Sequence, residues 1–181
     1  KLLTNSYFIL SPTKNPRWEM GLLEFIEYRN ILIKISKKSS LIPVIVGVKD
    51  DIYIIKKIVE NLPKEFNFID LVGKTNILQL IELIKNSNFV LANDNGIHHL
   101  ANFLDKKTLT LFNFSSPNVY KWHNKNSKYI FNPEFDCMPC IGKNTGPFDN
   151  YPFKCPWNIR CKKTINSNIV IKELTNLNWI N

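Results

Sequence analysis

Short apolar runs alternate along the chain with longer stretches whose apolar residues recur every three or four positions. Residues 7–11 read as a buried strand, and 19–37 as a helix with Leu22, Leu23, Phe25, Ile26, Ile33 and Ile35 on a broad apolar face. The next strand is 42–48, followed by a helix over 50–62 that Asp50 and Asp51 open and that carries Ile54, Ile55, Ile58 and Val59 at helical spacing. A strand at 68–72, a helix at 76–85 with Ile77, Leu80, Ile81 and Ile84, a strand at 89–92 and a helix at 97–104 continue the alternation. Strands at 108–112 and 128–131 complete it. Apolar strands that alternate with helices specify an α/β fold with a doubly wound, mostly parallel, Rossmann-like sheet. Beyond residue 132 the pattern gives way to a loop rich in Pro, Gly and Cys over about 133–164. A closing helix over about 166–177 ends the chain.

Composition narrows this only slightly. The 181 residues suit one domain, 1–181, with a core of its own. No run approaches the roughly 20 apolar residues that span a bilayer. The chain begins Lys1-Leu2-Leu3-Thr4-Asn5, with neither an initiator Met nor a signal-peptide core, so a fragment or processed product is expected. Twenty-four Lys and Arg against 15 Asp and Glu give a net charge of +9, which would attract a nucleotide diphosphate, an anionic membrane face or nucleic acid. The 24 Asn beside abundant Lys, Ile and Phe offer a rival account, an AT-rich coding sequence, and the lysines are scattered in pairs rather than gathered in a block.

The most informative stretch is Asp94-Asn95-Gly96-Ile97-His98-His99-Leu100-Ala101, where an apolar strand passes through a glycine turn into a helix. Such a turn aims backbone N–H groups outward and can hold an anion. Asp94 stands at the strand end, Gly96 where a side chain would obstruct close approach, and His99 one turn into the helix beside the mouth. An ordinary capped corner explains the same eight residues. Three further segments fall at the carboxyl ends of strands, where ligands of such sheets bind. In 11–18, Thr13, Lys14 and Arg17 offer a hydroxyl and two cations, and an arginine fork can grip two oxygens of a diphosphate at once. In 47–51, Asp51, with Asp50 as the alternative, can accept hydrogen bonds from two hydroxyls of a ligand or can simply stabilise a helix start. Gly73-Lys74-Thr75 is a turn that borders a base or ribose, or a plain helix cap. Cys137, Cys140, Cys155 and Cys161 include every cysteine. Four thiols in that order can form a tetrahedral zinc or other soft-metal site, although the second pair is wider than a zinc knuckle and reduced thiols are the alternative.

These motifs resemble glycosyltransferase family nine, the ADP-heptose:lipopolysaccharide heptosyltransferases. Asp94, Gly96, His99, Leu100 and Ala101 match the family's Asp-Ser/Thr-Gly-x-x-His-Leu-Ala signature, with Asn95 replacing Ser/Thr and His98 at a usually apolar position. Pro16-Arg17-Trp18 resembles the basic-aromatic element after the first strand of the family's C-terminal half, with Glu19 in place of a usual Pro. Val72-Gly73-Lys74-Thr75-Asn76-Ile77 resembles its Gly-Lys-Thr-Ser-Leu turn, and the cysteines resemble the tail of many members. The resemblance implies the C-terminal domain of a GT-B glycosyltransferase, without the N-terminal acceptor domain that carries the general base. It implies a nucleotide-diphospho-sugar donor, ADP-heptose-like, held by Thr13, Lys14, Arg17, Asp51, Lys74, Asp94, Asn95, Gly96 and His99, with the Asp51 carboxylate on the ribose. The reaction implied is inverting transfer to a lipid-linked glycan acceptor in lipopolysaccharide or cell-surface glycan synthesis. It needs no cofactor for transfer, and structural zinc is an addition. The expected location is cytoplasmic, peripheral on the inner face of the bacterial inner membrane, with no nucleic-acid partner. Three other readings stand beside it: a non-catalytic nucleotide- or phosphate-binding module, a zinc-stapled nucleic-acid-binding domain, and half of a nucleotide-sugar epimerase.

Overall fold

The structure, a computed structural model, describes residues 6–12, 22–140, 155 and 158–181. Among these residues six strands and six α-helices follow one another: β1 (Tyr7–Ser11), α1 (Phe25–Lys38), β2 (Ile42–Ile45), α2 (Ile52–Val59), β3 (Ile69–Asp70), α3 (Ile77–Asn86), β4 (Val90–Asn93), α4 (Gly96–Phe103), β5 (Thr108–Phe112), α5 (Pro117–Tyr120), β6 (Ser127–Phe131) and α6 (Ser167–Asn176). The strands form one parallel sheet in the order β3-β2-β1-β4-β5-β6. That order reverses between β1 and β4, which opens a crevice at their carboxyl ends.

The central strands β1 and β4 are buried on both faces because helices cover both. Along β1 and β4 the pleat sends alternate side chains to opposite sides. Phe8, Leu10, Phe89 and Leu91 join the cluster under α1, α2 and α6, whereas Tyr7, Ile9, Val90 and Ala92 join the one under α3 and α4. Helix α1 buries Tyr28, Ile31, Leu32 and Ile35, spaced three, one and three apart, and so turns Ile26 out to 55% exposure. Of the apolar residues expected to seat α3, Ile84 is buried, while Ile77 is 60% exposed. The closing helix α6 is held on α1 through polar contacts: the Ser167 amide donates to Glu27 Oε2 at 2.6 Å and Lys34 Nζ donates to Ser167 Oγ at 3.0 Å.

Most differences from the sequence reading are at element ends. Strands at 42–48 and 68–72 shorten to β2 and β3, since Val46 and Leu71 each still donate one ladder bond but the chain then turns into the loops that cap the next helix. The helix expected over 19–37 begins at Phe25. Glu24 has an extended ψ of 140°, and the Leu23 N–H goes to the Tyr28 hydroxyl at 3.1 Å rather than into a helix. Helix α5 was not anticipated; it is a single turn that Pro117 opens.

Tyr28 also fixes the rim of the crevice. Its hydroxyl donates to Asn93 Oδ1 at 2.8 Å, at the end of β4, and Asn113 Nδ2 donates to the Leu22 carbonyl at 3.0 Å, just past β5. Burial pushes the Tyr28 phenol far above its ordinary range, outweighing the bonds to Leu23 and Asn93, so it acts only as a neutral hydroxyl. Tyr28→Phe removes an acceptor from one buried amide and a donor from Asn93. It is expected to cost about 1–3 kcal/mol in a urea unfolding measurement; an unchanged midpoint would show that the rim does not depend on this bond.

Candidate functional site

The Asp94-Asn95-Gly96 turn sits at the switch point, between the end of β4 and the start of α4. Asn95 organises it. Its Oδ1 accepts from the amides of Ile97 at 2.9 Å and His98 at 3.2 Å, capping α4. Its Nδ2 donates to Ser11 Oγ at 3.0 Å, which ties the end of β1 to the start of α4. The Asn95 amide in turn donates to His98 Nδ1 at 3.1 Å. The cap has a consequence for anion binding: two amides that could face a phosphate are already occupied. Among the described residues the Gly96 N–H has no recorded hydrogen bond, and a Cβ built on Gly96 meets no heavy atom within 4 Å. The glycine is therefore not demanded by the described residues around it.

Asp94, His98 and His99 converge behind this opening. His98 Nδ1 lies 3.4 Å and His99 Nε2 lies 3.8 Å from Asp94 Oδ1. Burial raises the Asp94 carboxyl above its ordinary range, against the pull of the Ser115 hydroxyl and of His99. Burial chiefly, and His99 next, lower His98 to about 4, which the Tyr120 and Asn95 backbone only partly offset, so its closeness to Asp94 is not an ion pair at neutral pH. The ligand atoms of these three residues lie within 4.8 Å of one another, close enough to consider a metal. Their lone pairs are in use, however. His98 Nδ1 accepts the Asn95 amide, and His99 Nδ1 accepts the Trp122 indole N–H at 3.0 Å, which puts the neutral His99 proton on Nε2. A cation would have to displace these bonds, so hydrogen bonding accounts for the cluster better than metal ligation does.

The remaining sequence candidates lie around the same end of the sheet or outside the described residues. Thr13, Lys14, Arg17 and the neighbouring Trp18 and Glu19 lie outside them. The flanks of that segment are nevertheless both at the crevice: Ser11 is bonded to Asn95, and Leu22 and Leu23 are pinned by Asn113 and Tyr28. Asp51 is 4% exposed and its Oδ2 accepts from the Val48 amide at 2.9 Å, which is the helix-start role weighed against ribose binding; Asp50 is exposed. Lys74 donates to the Asp70 carbonyl at 2.9 Å and pairs with its carboxylate at 3.3 Å, largely in solvent. The Lys74 turn packs directly on the loop of Asp51. Gly73 donates to the Gly47 carbonyl at 2.9 Å and, at a φ of +68°, would put a Cβ 3.0 Å from Lys49 Cα. That pair of loops follows β2 and β3, with β2 about 10 Å, or two strand spacings, from β4.

All four cysteines are free thiols. The Cys140 amide donates to the Phe114 carbonyl at 2.7 Å, which ties the first pair to the chain beyond β5. Cys161 is buried, and burial, then the charges of Cys140, Cys155 and Cys137, push its thiol up to about 12. By chemistry alone four thiols are a soft-metal donor set. Their sulfurs do not meet the 4.8 Å mutual spacing that Asp94, His98 and His99 do. Sequence reasoning missed Trp122, Tyr28, Asn93, Asn113 and Ser11. Each is tied to the site by a side-chain bond across 65 to 91 residues, or 23 for Trp122, and no local pattern marks it.

A protein-family model described as glycosyltransferase family 9 (heptosyltransferase) matches residues 26–151. No curated protein sequence matches the chain. Among solved structures it is similar to a family 9 glycosyl transferase from Veillonella parvula (16% identity, 97% of this chain and 47% of that one, TM-score 0.71). It is similar also to the E. coli heptosyltransferase WaaC with ADP (15%, 94% and 44%, TM-score 0.68). A third is the iron-containing dodecameric glycosyltransferase TibC from enterotoxigenic E. coli (14%, 98% and 46%, TM-score 0.72). The same TibC has been solved with ADP-D-beta-D-heptose. The chain spans about half the length of each of these proteins. Their likeness establishes the shared fold, the six-stranded parallel α/β sheet. Among the described residues, no helix is long and apolar enough to cross a membrane.

Proposed function

Because the chain belongs to glycosyltransferase family 9, we propose that it is the donor-binding half of an inverting GT-B glycosyltransferase. The donor is a nucleotide diphosphate sugar, ADP-heptose or a close relative, and the product is a lipopolysaccharide or other cell-surface glycan. The observation that carries this reading is the opening at Gly96: an unobstructed glycine amide at the β1/β4 switch point, flanked by Asp94 and by the proton-bearing Nε2 of His99. The diphosphate would sit there, helped by Arg17, Lys14 and Thr13, with the ribose and base toward the loops of Asp51 and Lys74. Backbone and cationic donors at that point stabilise the charge that develops on the departing diphosphate as the acceptor hydroxyl attacks the anomeric carbon. The acceptor, a lipid-linked glycan, and the general base that deprotonates it belong to the other half of such an enzyme, working at the cytoplasmic face of the inner membrane.

Calorimetry with ADP, UDP, GDP and ADP-heptose tests the reading directly. The 181-residue chain should bind an ADP-sugar weakly and transfer nothing, and a two-halved protein that contains it should turn over. Turnover by the chain alone, or no binding of any nucleotide sugar by either form, would defeat the assignment. On donor chemistry, Cys137, Cys140, Cys155 and Cys161 would hold a structural zinc or iron only by drawing their sulfurs closer together than they lie here, and the ion would neutralise their charge; TibC, similar in fold, is an iron-containing glycosyltransferase. Metal analysis of purified protein should give about one equivalent, and Cys161→Ser should lower it below about half. A metal-free wild type would remove the site.

A further inference from the structure

The Trp122 indole N–H donates to His99 Nδ1 at 3.0 Å, with the rings tilted by 55°. Indole nitrogen can only donate, so the partner nitrogen must offer a lone pair, and in a neutral imidazole the proton then lies on the other nitrogen. That nitrogen, Nε2, faces Asp94 Oδ1 from 3.8 Å, too far for a good hydrogen bond between them. The His99 side chain is 44% exposed, against 12% for Asp94. A fixed N–H thus stands beside a carboxylate oxygen that immediately precedes the Asn95-Gly96 turn in the chain. Without Trp122, His99 could carry its proton on either nitrogen and rotate about its side-chain bonds.

We propose that Trp122 is a positioning residue that locks His99 in its Nε2–H tautomer, so that the mouth presents one N–H donor beside the Asp94 acceptor to an oxygen of the bound sugar nucleotide. The functional half of this inference rests on the donor-site reading of the mouth; the tautomer does not. Trp122 comes from the segment after α5, and His99 from α4, so the bond also ties that segment to the first turns of α4. His98 stacks on His99 with ring centroids 3.8 Å apart, which limits rotation on its other side.

Long-range proton–nitrogen NMR on the full chain labelled at histidine nitrogen, at about pH 8 where an ordinary imidazole is neutral, reads the tautomer without any ligand. His99 in the wild type should show a bare Nδ1 and a protonated Nε2. Trp122→Phe, which keeps a ring but removes the N–H, should give a mixture of the two forms and about a fivefold weaker affinity for ADP-heptose. His99→Ala should lose at least as much, and combining it with Trp122→Phe should add nothing further. A protonated Nδ1 in the wild type overturns the proposal without reference to any variant that fails to fold. So does an unchanged His99 signature in Trp122→Phe, or strictly additive losses. Were the tautomer to shift as expected while no form of the chain bound ADP-heptose, the locking role would stand and the donor-site reading would fall.

Discussion

Gly96→Ala should reduce nucleotide-sugar affinity by about thirtyfold or more, equivalent to some 2 kcal/mol, while the thermal midpoint stays level or rises. The two halves of that expectation have separate physical grounds. Gly96 opens α4 without a positive φ, and among the described residues an added Cβ contacts nothing within 4 Å, so those neighbours do not require a glycine there. Alanine is the better helix former, by up to about 1 kcal/mol in a helix interior and less in the first turn. Asn95 continues to cap the Ile97 and His98 amides. What a methyl group takes away is the space in front of the one helix-start amide that the cap leaves, and only a ligand uses that space. Gly73 supplies the contrast: its φ of +68° and the 3.0 Å approach to Lys49 Cα make Gly73→Ala destabilising by about 1–3 kcal/mol whatever binds. Calorimetric titration beside thermal melts of both variants separates the cases. A Gly96→Ala protein that melts early and binds no worse than its instability dictates would make Gly96 a structural glycine and remove the principal support for the donor site.

The sheet was legible because its central strands are apolar on both faces and its helices are long enough to show a period. Tyr7–Ser11 and Thr108–Phe112 have the limits that the hydrophobic runs mark, and Asn76 and Asn166 cap α3 and α6 where the sequence places helix starts. The misreadings have a common cause, which is that apolarity does not distinguish a residue that packs from one that faces solvent. Ile26 and Ile77 fit a helical stripe as well as their buried neighbours do, yet they face solvent because Tyr28 and Ile84 set which side of each helix meets the sheet. The start of α1 was placed too early for a related reason: the polar link from Leu23 through Tyr28 to Asn93 holds the chain extended, and a link across 65 residues leaves no periodic trace.

Within the site, the residues of one turn were readable and their partners were not. Asp94, Asn95, Gly96 and His99 come together because one strand and one helix carry them. The role of Asn95 differs from a simple stand-in for Ser or Thr: its longer amide caps α4 with Oδ1 and reaches Ser11 with Nδ2, so it joins the two strands that flank the crevice. Asp51 was read as a ribose acceptor or a helix-start residue, and its carboxylate engages the Val48 amide, which favours the second role unless a ligand displaces that bond.

Acidification should weaken the fold by way of His98, in a window set by its two protonation constants. His98 is fully buried and lowered from 6.5 to about 4, principally by burial, with the His99 charge adding to the effect. The unfolded chain therefore takes up a proton before the folded one does. The stability that neutral His98 supports is complete above about pH 6.5 and is withdrawn as the pH falls toward 4, by about 3 kcal/mol in all. Asp94 has the opposite sign, since its raised constant favours the folded state as pH falls, and it works against this loss. His98→Leu removes the titration, but it also removes the acceptor of the Asn95 amide, at about 1–2 kcal/mol at neutral pH. Urea unfolding at about pH 7 and pH 4.5 should give a variant that is weaker at the first value and level with or above the wild type at the second. Parallel pH dependences would assign the acid loss to other groups. The histidine that must stay neutral also holds the Asn95 amide, and Asn95 holds both Ser11 and the cap of α4. Protonating His98 thus undoes the turn before it undoes the sheet, and donor affinity should fall at a higher pH than the one at which the global unfolding midpoint collapses.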